Sequence, residues 1–293
     1  MIPGFASSVI PQGGPSFSAA NQANLSVLYN SKWTIFANFV HKPALHPMGT
    51  NYSITAQFGK ALAILLADKI ATIAPQFPSE RFVRDVAGSI IEKTYTQRVA
   101  LIADKLHEHF PGTYQTALTV FMKILGPPNP NETGMFTHYY WILPIGKFVE
   151  KYGLDHFQLS MDAIAEITRR NTGEYAVRPY IRKYPEASLA IIRRWASSGD
   201  FHLRRLASEG LRPKLPWAPK LDTFNHHPQP VFEVLEMLKE DNVTFVKKSV
   251  ANHLTDWLKV NNGAATALIR QWAASTNPHT QWIIKRATRK ITL

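Results

Sequence analysis

Three acidic residues in the C-terminal half of the chain stand at helical spacing from cations. Arg205 is followed at i+4 by Glu209, and Lys248 is followed at i+4 by Asn252 and at i+8 by Asp256. Arg178 is preceded at i−4 by Glu174. Spacings of four and eight bring side chains to roughly one face of a helix, so these carboxylates would project into the same groove as the cations. Each pair could be a plain intrahelical salt bridge, worth about 0.2–0.5 kcal/mol. Recurrence in three segments favours a second reading. A fixed carboxylate inside a basic groove can stabilise positive charge as it develops on a bound molecule. Trp217 lies in the run Arg212-Pro213-Lys214-Leu215-Pro216-Trp217-Ala218-Pro219. A tryptophan held by prolines among cations can stack on a base or sugar, or it can plug the core.

Other chemistries find no support. The chain has no cysteine, which excludes disulfides and thiolate metal sites. His226-His227 and the scattered histidines lack metal-ligand spacing with acids, and there is no HExxH, GxSxG, zinc-deaminase or phosphate-cradling glycine motif. No metal and no cofactor are expected. His156 reads as a helix-start residue, and Trp195, Trp257 and Trp272 read as core.

The elements that must position these residues are helices. No run alternates with period two, so an all-α fold without sheet is expected. Apolar periodicity begins near Ile54. It predicts helices from Phe58 to Ile70, from an N-cap at Ser79 through Val83, Val86 and Ile90, from Gln97 to Phe110 and from Tyr114 to Leu125. Gly126 to Gly134 is the clearest break. Beyond it three segments resemble one another: Leu189–Leu211, Val231–Leu254 and Ala267–Ile291. Each reads as an amphipathic helix, a short polar turn and a second helix with a basic pair (Arg204-Arg205, Lys247-Lys248, Lys285-Arg286). Ile164–Tyr180 reads as the second half of an earlier unit, with Arg178 in the comparable place. Helix pairs at this spacing imply an α-solenoid of HEAT-like repeats, whose stacked second helices line one concave surface.

Charge agrees with that surface. From Ser160 onward there are 21 Lys/Arg against 12 Asp/Glu, whereas residues 53 to 159 carry 10 against 9. An excess of cations on the second helices suits a polyanion. Residues 1–52 differ from the rest, being rich in Ser, Gly, Pro, Asn and Gln and free of acids and Arg. They are expected to form an N-terminal extension, poorly ordered over Met1–Ala20 with a short helix near Leu25–Phe39, ahead of a repeat domain at 53–293. Neither a secretory signal nor a run of about 18 apolar residues is present, so a soluble, intracellular protein is expected.

At these residues the sequence resembles the HEAT-like DNA alkylation-repair proteins, within the AlkC/AlkD superfamily the AlkC type. The resemblance runs from about Thr55 to the end and is most specific in YGLDHFQL (152–159), EYAVRPY (174–180), LRRLASEGLRPKLPWAPKL (203–221) and KKSVANHL (247–254). It implies a glycosylase that excises cationic alkylated bases, typified by 3-methyladenine, from double-stranded DNA without a deep base-flipping pocket. It further implies that Glu174, Glu209 and Asp256 stabilise an oxocarbenium-like sugar and that Trp217 contacts the lesion or sugar. Arg178, Arg204, Arg205, Lys247, Lys248 and Lys285 would hold DNA. A monomer acting without membrane or metal is expected. The third repeat ends the chain, without the immunoglobulin-like domain that follows it in some AlkC-type members. A non-catalytic DNA-binding repeat protein and a protein-interaction scaffold are the alternatives that the residues alone leave open.

Overall fold

The computed structural model describes residues 53–134 and 136–289, and all of its regular structure is helical. The expected tail, the helix near Leu25–Phe39 and the last residues of the chain lie outside the described residues.

A 3₁₀ turn at Ile54–Gln57 leads into α1 (Lys60–Ala71), α2 (Ser79–Ser89), α3 (Tyr95–His109) and α4 (Tyr114–Ile124). Each is fixed by local chemistry. In α1 the buried positions are Leu62, Ala63, Leu66, Ala67 and Ile70, the three-and-four spacing of one helical face. Thr94 and Gln97 form a capping box at the start of α3, and the Thr113 hydroxyl caps α4 by accepting from the Thr116 amide. Gly112 adopts φ +122° in the turn between α3 and α4, a backbone state that L side chains rarely tolerate. Ser79 is not the cap expected of it: Pro78 occupies that place and Ser79 is the first helical residue.

After the loop that opens at Gly126, a helical turn at Phe136–Tyr139 and a 3₁₀ turn precede α5 (Leu143–Tyr152) and α6 (Phe157–Thr168). His156 does stand at the N-cap of α6. There follow α7 (Arg178–Lys183), α8 (Pro185–Ala196), α9 (Phe201–Glu209), α10 (Gln229–Leu238), α11 (Thr244–Val260), α12 (Asn262–Ala273) and α13 (Pro278–Thr288). The three expected pairs are therefore α8–α9, α10–α11 and α12–α13. Second helices pack on one another more extensively (α9 on α11, α11 on α13) than first helices do (α8 on α10). Such a stack bends with its second helices innermost. Trp257 and Trp272 are fully buried and Trp195 nearly so.

The turns inside the pairs double as joints between units. The Asp200 carboxylate caps α9 by accepting from the His202 amide at 2.8 Å and also takes Arg169 from the preceding unit at 3.0 Å. One unit on, Asp241 accepts from the Val243 amide at 2.9 Å and pairs with Arg204 at 2.6 Å. In the last pair the cap is Asn277, bonded to the His279 amide at 2.8 Å. There Thr280 ties back by donating to the Lys239 carbonyl at 3.0 Å.

Candidate active site

Helices α9 and α11, the loop before α7 and the loop after α9 bring five ionisable side chains into a row of alternating sign: Glu174, Arg205, Glu209, Arg212 and Asp256. Arg205 pairs with Glu174 through Nη1 and lies 3.5 Å from Glu209 through Nη2. Arg212 donates to Glu209 Oε1 at 2.6 Å through Nη1 and to Asp256 Oδ2 at 2.8 Å through Nε. Thr172 donates to Glu174 at 2.9 Å, Ser249 to Glu209 at 2.5 Å, and the Arg205 guanidinium stacks 5.0 Å over Phe245. The five side chains keep between 7 % and 15 % of their surface exposed, so they are largely stripped of water yet reachable from the groove. Three carboxylates face two guanidiniums, which leaves one excess negative charge on a cationic surface.

Burial opposes charge on each of these groups, and the row decides where it prevails. For Glu209, burial is outweighed by the guanidiniums of Arg205 and Arg212 and the Ser249 hydroxyl, and its carboxyl is held below the usual range. Asp256 has one guanidinium, which does not offset burial, and its carboxyl is pushed up. Burial also works against Arg205 and Arg212, but their carboxylate partners win and keep both firmly protonated. Tyr175, next to Glu174, has its phenol raised by burial and by that neighbouring charge.

Trp217 is 83 % exposed, the most exposed large apolar side chain described, and its backbone sits at φ +65°. A bulky residue in the left-handed region is strained, and the surrounding structure must hold it there. That hold comes from below. The fully buried Arg178 donates to the carbonyls of Arg212 and Pro219, each at 2.8 Å, and to Gly210 at 3.3 Å, while Arg182 donates to Lys220 at 2.9 Å. Trp217 and Tyr175 share a cleft of about 550 Å³ with Thr172, Tyr95 and Leu143.

Glu174, Glu209 and Asp256 are thus brought together, with Trp217 across the cleft from Glu174's neighbours and Arg205 inside the row. Several residues expected beside them are placed elsewhere. Arg178 does not face the groove: Ile164–Tyr180 is not one helix but α6, a loop at 169–177 and the start of α7, so i−4 spacing from Glu174 carries no shared face. At 1 % exposure and bonded to backbone carbonyls, Arg178 cannot reach a phosphate; burial, then Arg182 and Arg212, bring its pKa down to about 10. Arg204, one residue from Arg205, turns about a hundred degrees away and serves the joint with Asp241 instead. Lys247 is buried against α13, 3.2 Å from His279 and 5.4 Å over Trp282, whereas Lys248 and Lys285 are exposed. Sequence reasoning missed Arg212, the bridge on which two acids depend. Its signal was present: a cation at i+3 from Glu209, just past the helix end.

Helix pairs stacked with their second helices innermost, carrying acids among cations, define an α-solenoid of the HEAT-like kind. No family model matches the chain, and the likeness emerges from whole-chain comparisons. It is 30 % identical to the Pseudomonas fluorescens alkylpurine DNA glycosylase AlkC, seen bound to DNA containing an abasic-site analogue, with a TM-score of 0.74 over 82 % of this chain and 64 % of that one. AlkD2 from Streptococcus mutans shares the fold at TM-score 0.51 and 19 % identity, over 76 % of this chain and 98 % of that one. The uncharacterized protein YhaZ of Bacillus subtilis (strain 168) is 33 % identical over 235 residues, 80 % of this chain and 63 % of YhaZ. The chain is similar to AlkC and YhaZ over about four fifths of its own length, and it spans just under two thirds of the length of each.

Proposed function

We propose that this chain is a DNA glycosylase that excises cationic alkylated bases, of the 3-methyladenine type, from double-stranded DNA. The observation that carries the reading is the row itself. A solenoid that only held DNA would gain nothing from three mostly buried carboxylates with an excess negative charge in its basic groove. An N-methylated purine is already cationic and leaves readily, so little acid catalysis is required. What lowers the barrier is negative charge fixed where the sugar becomes oxocarbenium-like. Glu209, held ionised in the middle of the row, supplies that field. Glu174 and Asp256 stand at its ends and make their arginine bonds through one oxygen each, leaving the second to orient water at the sugar. Trp217 stacks on the lesion nucleotide, and Lys248, Lys285 and Arg205 draw in phosphates. The likeness to AlkC supports this reading, as does the resemblance of the carboxylate-bearing segments to the motifs of the alkylation-repair proteins.

The test is release of free 3-methyladenine from methylated duplex under single-turnover conditions. Base release that depends on the three carboxylates is expected. Salt-dependent duplex binding with no release would make the chain a non-catalytic DNA binder, and no duplex binding at all would leave the scaffold reading.

A further inference from the structure

Behind Glu209, away from the groove, lies a polar file that the mechanism above does not use. Ser249 Oγ is 2.5 Å from Glu209 Oε2 and 3.0 Å from Ser208 Oγ, and Ser208 Oγ is 3.4 Å from His253 Nδ1. Ser208 and His253 are fully buried and Ser249 nearly so, and the three come from two different units, α9 and α11. A hydroxyl–imidazole file in an apolar interface is costly unless every polar atom is used.

Counting hydrogens fixes its direction. Ser249 has one hydroxyl hydrogen, and the short contact with an ionised carboxylate takes it. The Ser249–Ser208 contact at 3.0 Å also has Ser249 as its donor, so it is the weaker arm of a shared hydrogen. Ser208 keeps its own hydrogen, and His253 Nδ1 lies 3.4 Å from its oxygen. The charged surroundings keep the ring neutral. Burial, with Arg212 and Arg178 on the side of the loop, holds its pKa well below the ordinary histidine value, against the backbone carbonyls of Ser208 and Leu211 that face it. The other ionisable groups facing Glu209 are Arg205 and Arg212 directly, with Glu174, Tyr175 and Asp256 beyond them.

We infer that the Ser249 hydroxyl, seated against buried Ser208 and His253 where two units meet, donates to Glu209 and holds this carboxylate ionised and correctly turned, with Ser208 and His253 fixing the serine in place. They are positioning residues, since none touches the groove. The inference rests on the reading of Glu209 as part of the excision machinery, and its physical core can be measured without that activity.

The experiment follows the carboxyl carbon of Glu209 by NMR through a pH titration, the signal being identified by its loss in Glu209→Gln, alongside single-turnover excision, duplex affinity and melting temperature. In Ser249→Ala the Glu209 titration is expected to move to higher pH. Excision should fall roughly ten- to a hundredfold, the worth of one hydrogen bond to a charged group, with duplex affinity retained. Ser249→Thr keeps the hydroxyl and should restore both. A Glu209 titration unmoved by Ser249→Ala overturns the inference, as does a fall in excision that only tracks the melting temperature. A titration that moves as expected in a protein that releases no base upholds the Ser249–Glu209 bond and overturns the glycosylase reading instead.

Discussion

The first helices of the chain and the later pairs are held together by different physics. Among the described residues before Gly153, His109 and Asn129 are the buried polar side chains, and the interior is otherwise Phe58, Leu66, Phe82, Phe121, Phe148 and their neighbours. From Ser160 onward the interior also carries Arg170, Glu174, Arg178, His202, Glu209, Arg212, His253 and Asp256. The first region is an apolar stack that needs only volume and pattern. The second spends buried charge, which is seldom the stablest choice. The proposed function draws on the second region, where charge must be fixed rather than merely present.

The largest effect that would sharpen this comparison is on chemistry. Glu174→Gln, Glu209→Gln and Asp256→Asn keep shape and remove charge, so excision should fall by about 10²–10³-fold for the residue nearest the sugar. Duplex binding should persist or strengthen. Asp104→Asn, an acid of the first region paired with Lys151 and Tyr152, should leave excision as it is. Full excision by the triple variant would abolish the distinction.

Stability comes next. Arg212→Leu strands Asp256, strips Glu209 of one of its two guanidiniums, and should cost about 3–5 kcal/mol, the range for breaking a buried ion pair from one side. Phe121→Ala should cost a similar 3–5 kcal/mol by opening a cavity. The two are told apart by pH: the Arg212→Leu deficit should shrink as the carboxylates protonate, while the Phe121→Ala deficit should not. Equal pH dependence in denaturant titrations would show that the row is not what holds the second region.

The pH profile follows from the two opposite shifts. Glu209 is lowered in the folded state, so its contribution to stability is present above the unfolded value and lost as pH falls through the folded one. Asp256 is raised, so its contribution is present at low pH and lost as pH rises through its folded value. On acidification Asp256 therefore takes up its proton at a higher pH than a free aspartate would. The acid limb of the excision profile should lie above the ordinary aspartate range, and Asp256→Asn should erase that limb along with most of the rate.

The smallest effect is on binding. Lys248→Glu and Lys285→Glu should each weaken intact and lesion-bearing duplex alike and lower the salt slope by about one. An unchanged slope for either would remove that lysine from the DNA surface.

Much of this architecture was readable before any coordinates. The pairs α8–α9, α10–α11 and α12–α13 follow from apolar spacing and polar turns, and Glu209, Asp256 and Trp217 were singled out by composition and spacing. What failed to read through was direction. Glu174 and Arg178 look like helical neighbours, but the loop at 169–177 breaks the period between them, so one side chain enters the row and the other goes beneath a loop. Adjacent members of a basic pair point about a hundred degrees apart on a helix, and nothing in the types of Arg204 and Arg205 says which faces inward. Ser249 and His253 share one helix at i+4, but their partners Ser208 and Glu209 lie forty or more positions away and meet them only when two units stack.

The joints between units carry a mechanical consequence. Two of them lock an aspartate of the turn to an arginine of the unit before, whereas among the described residues the joint to the last pair has no such ion pair: its turn is capped by the uncharged Asn277, and Thr280, Thr255 and Trp272 bond across it to the Lys239 and Ala287 carbonyls and to Glu236. In a linear stack each unit is stabilised chiefly by its neighbours, so opening begins where the coupling between units is weakest. Peeling should start with α12 and α13 and stop at the Arg204–Asp241 lock. Amide exchange would then be fastest in the last pair, and the acidic row on α9 and α11 would keep its geometry while that pair breathes.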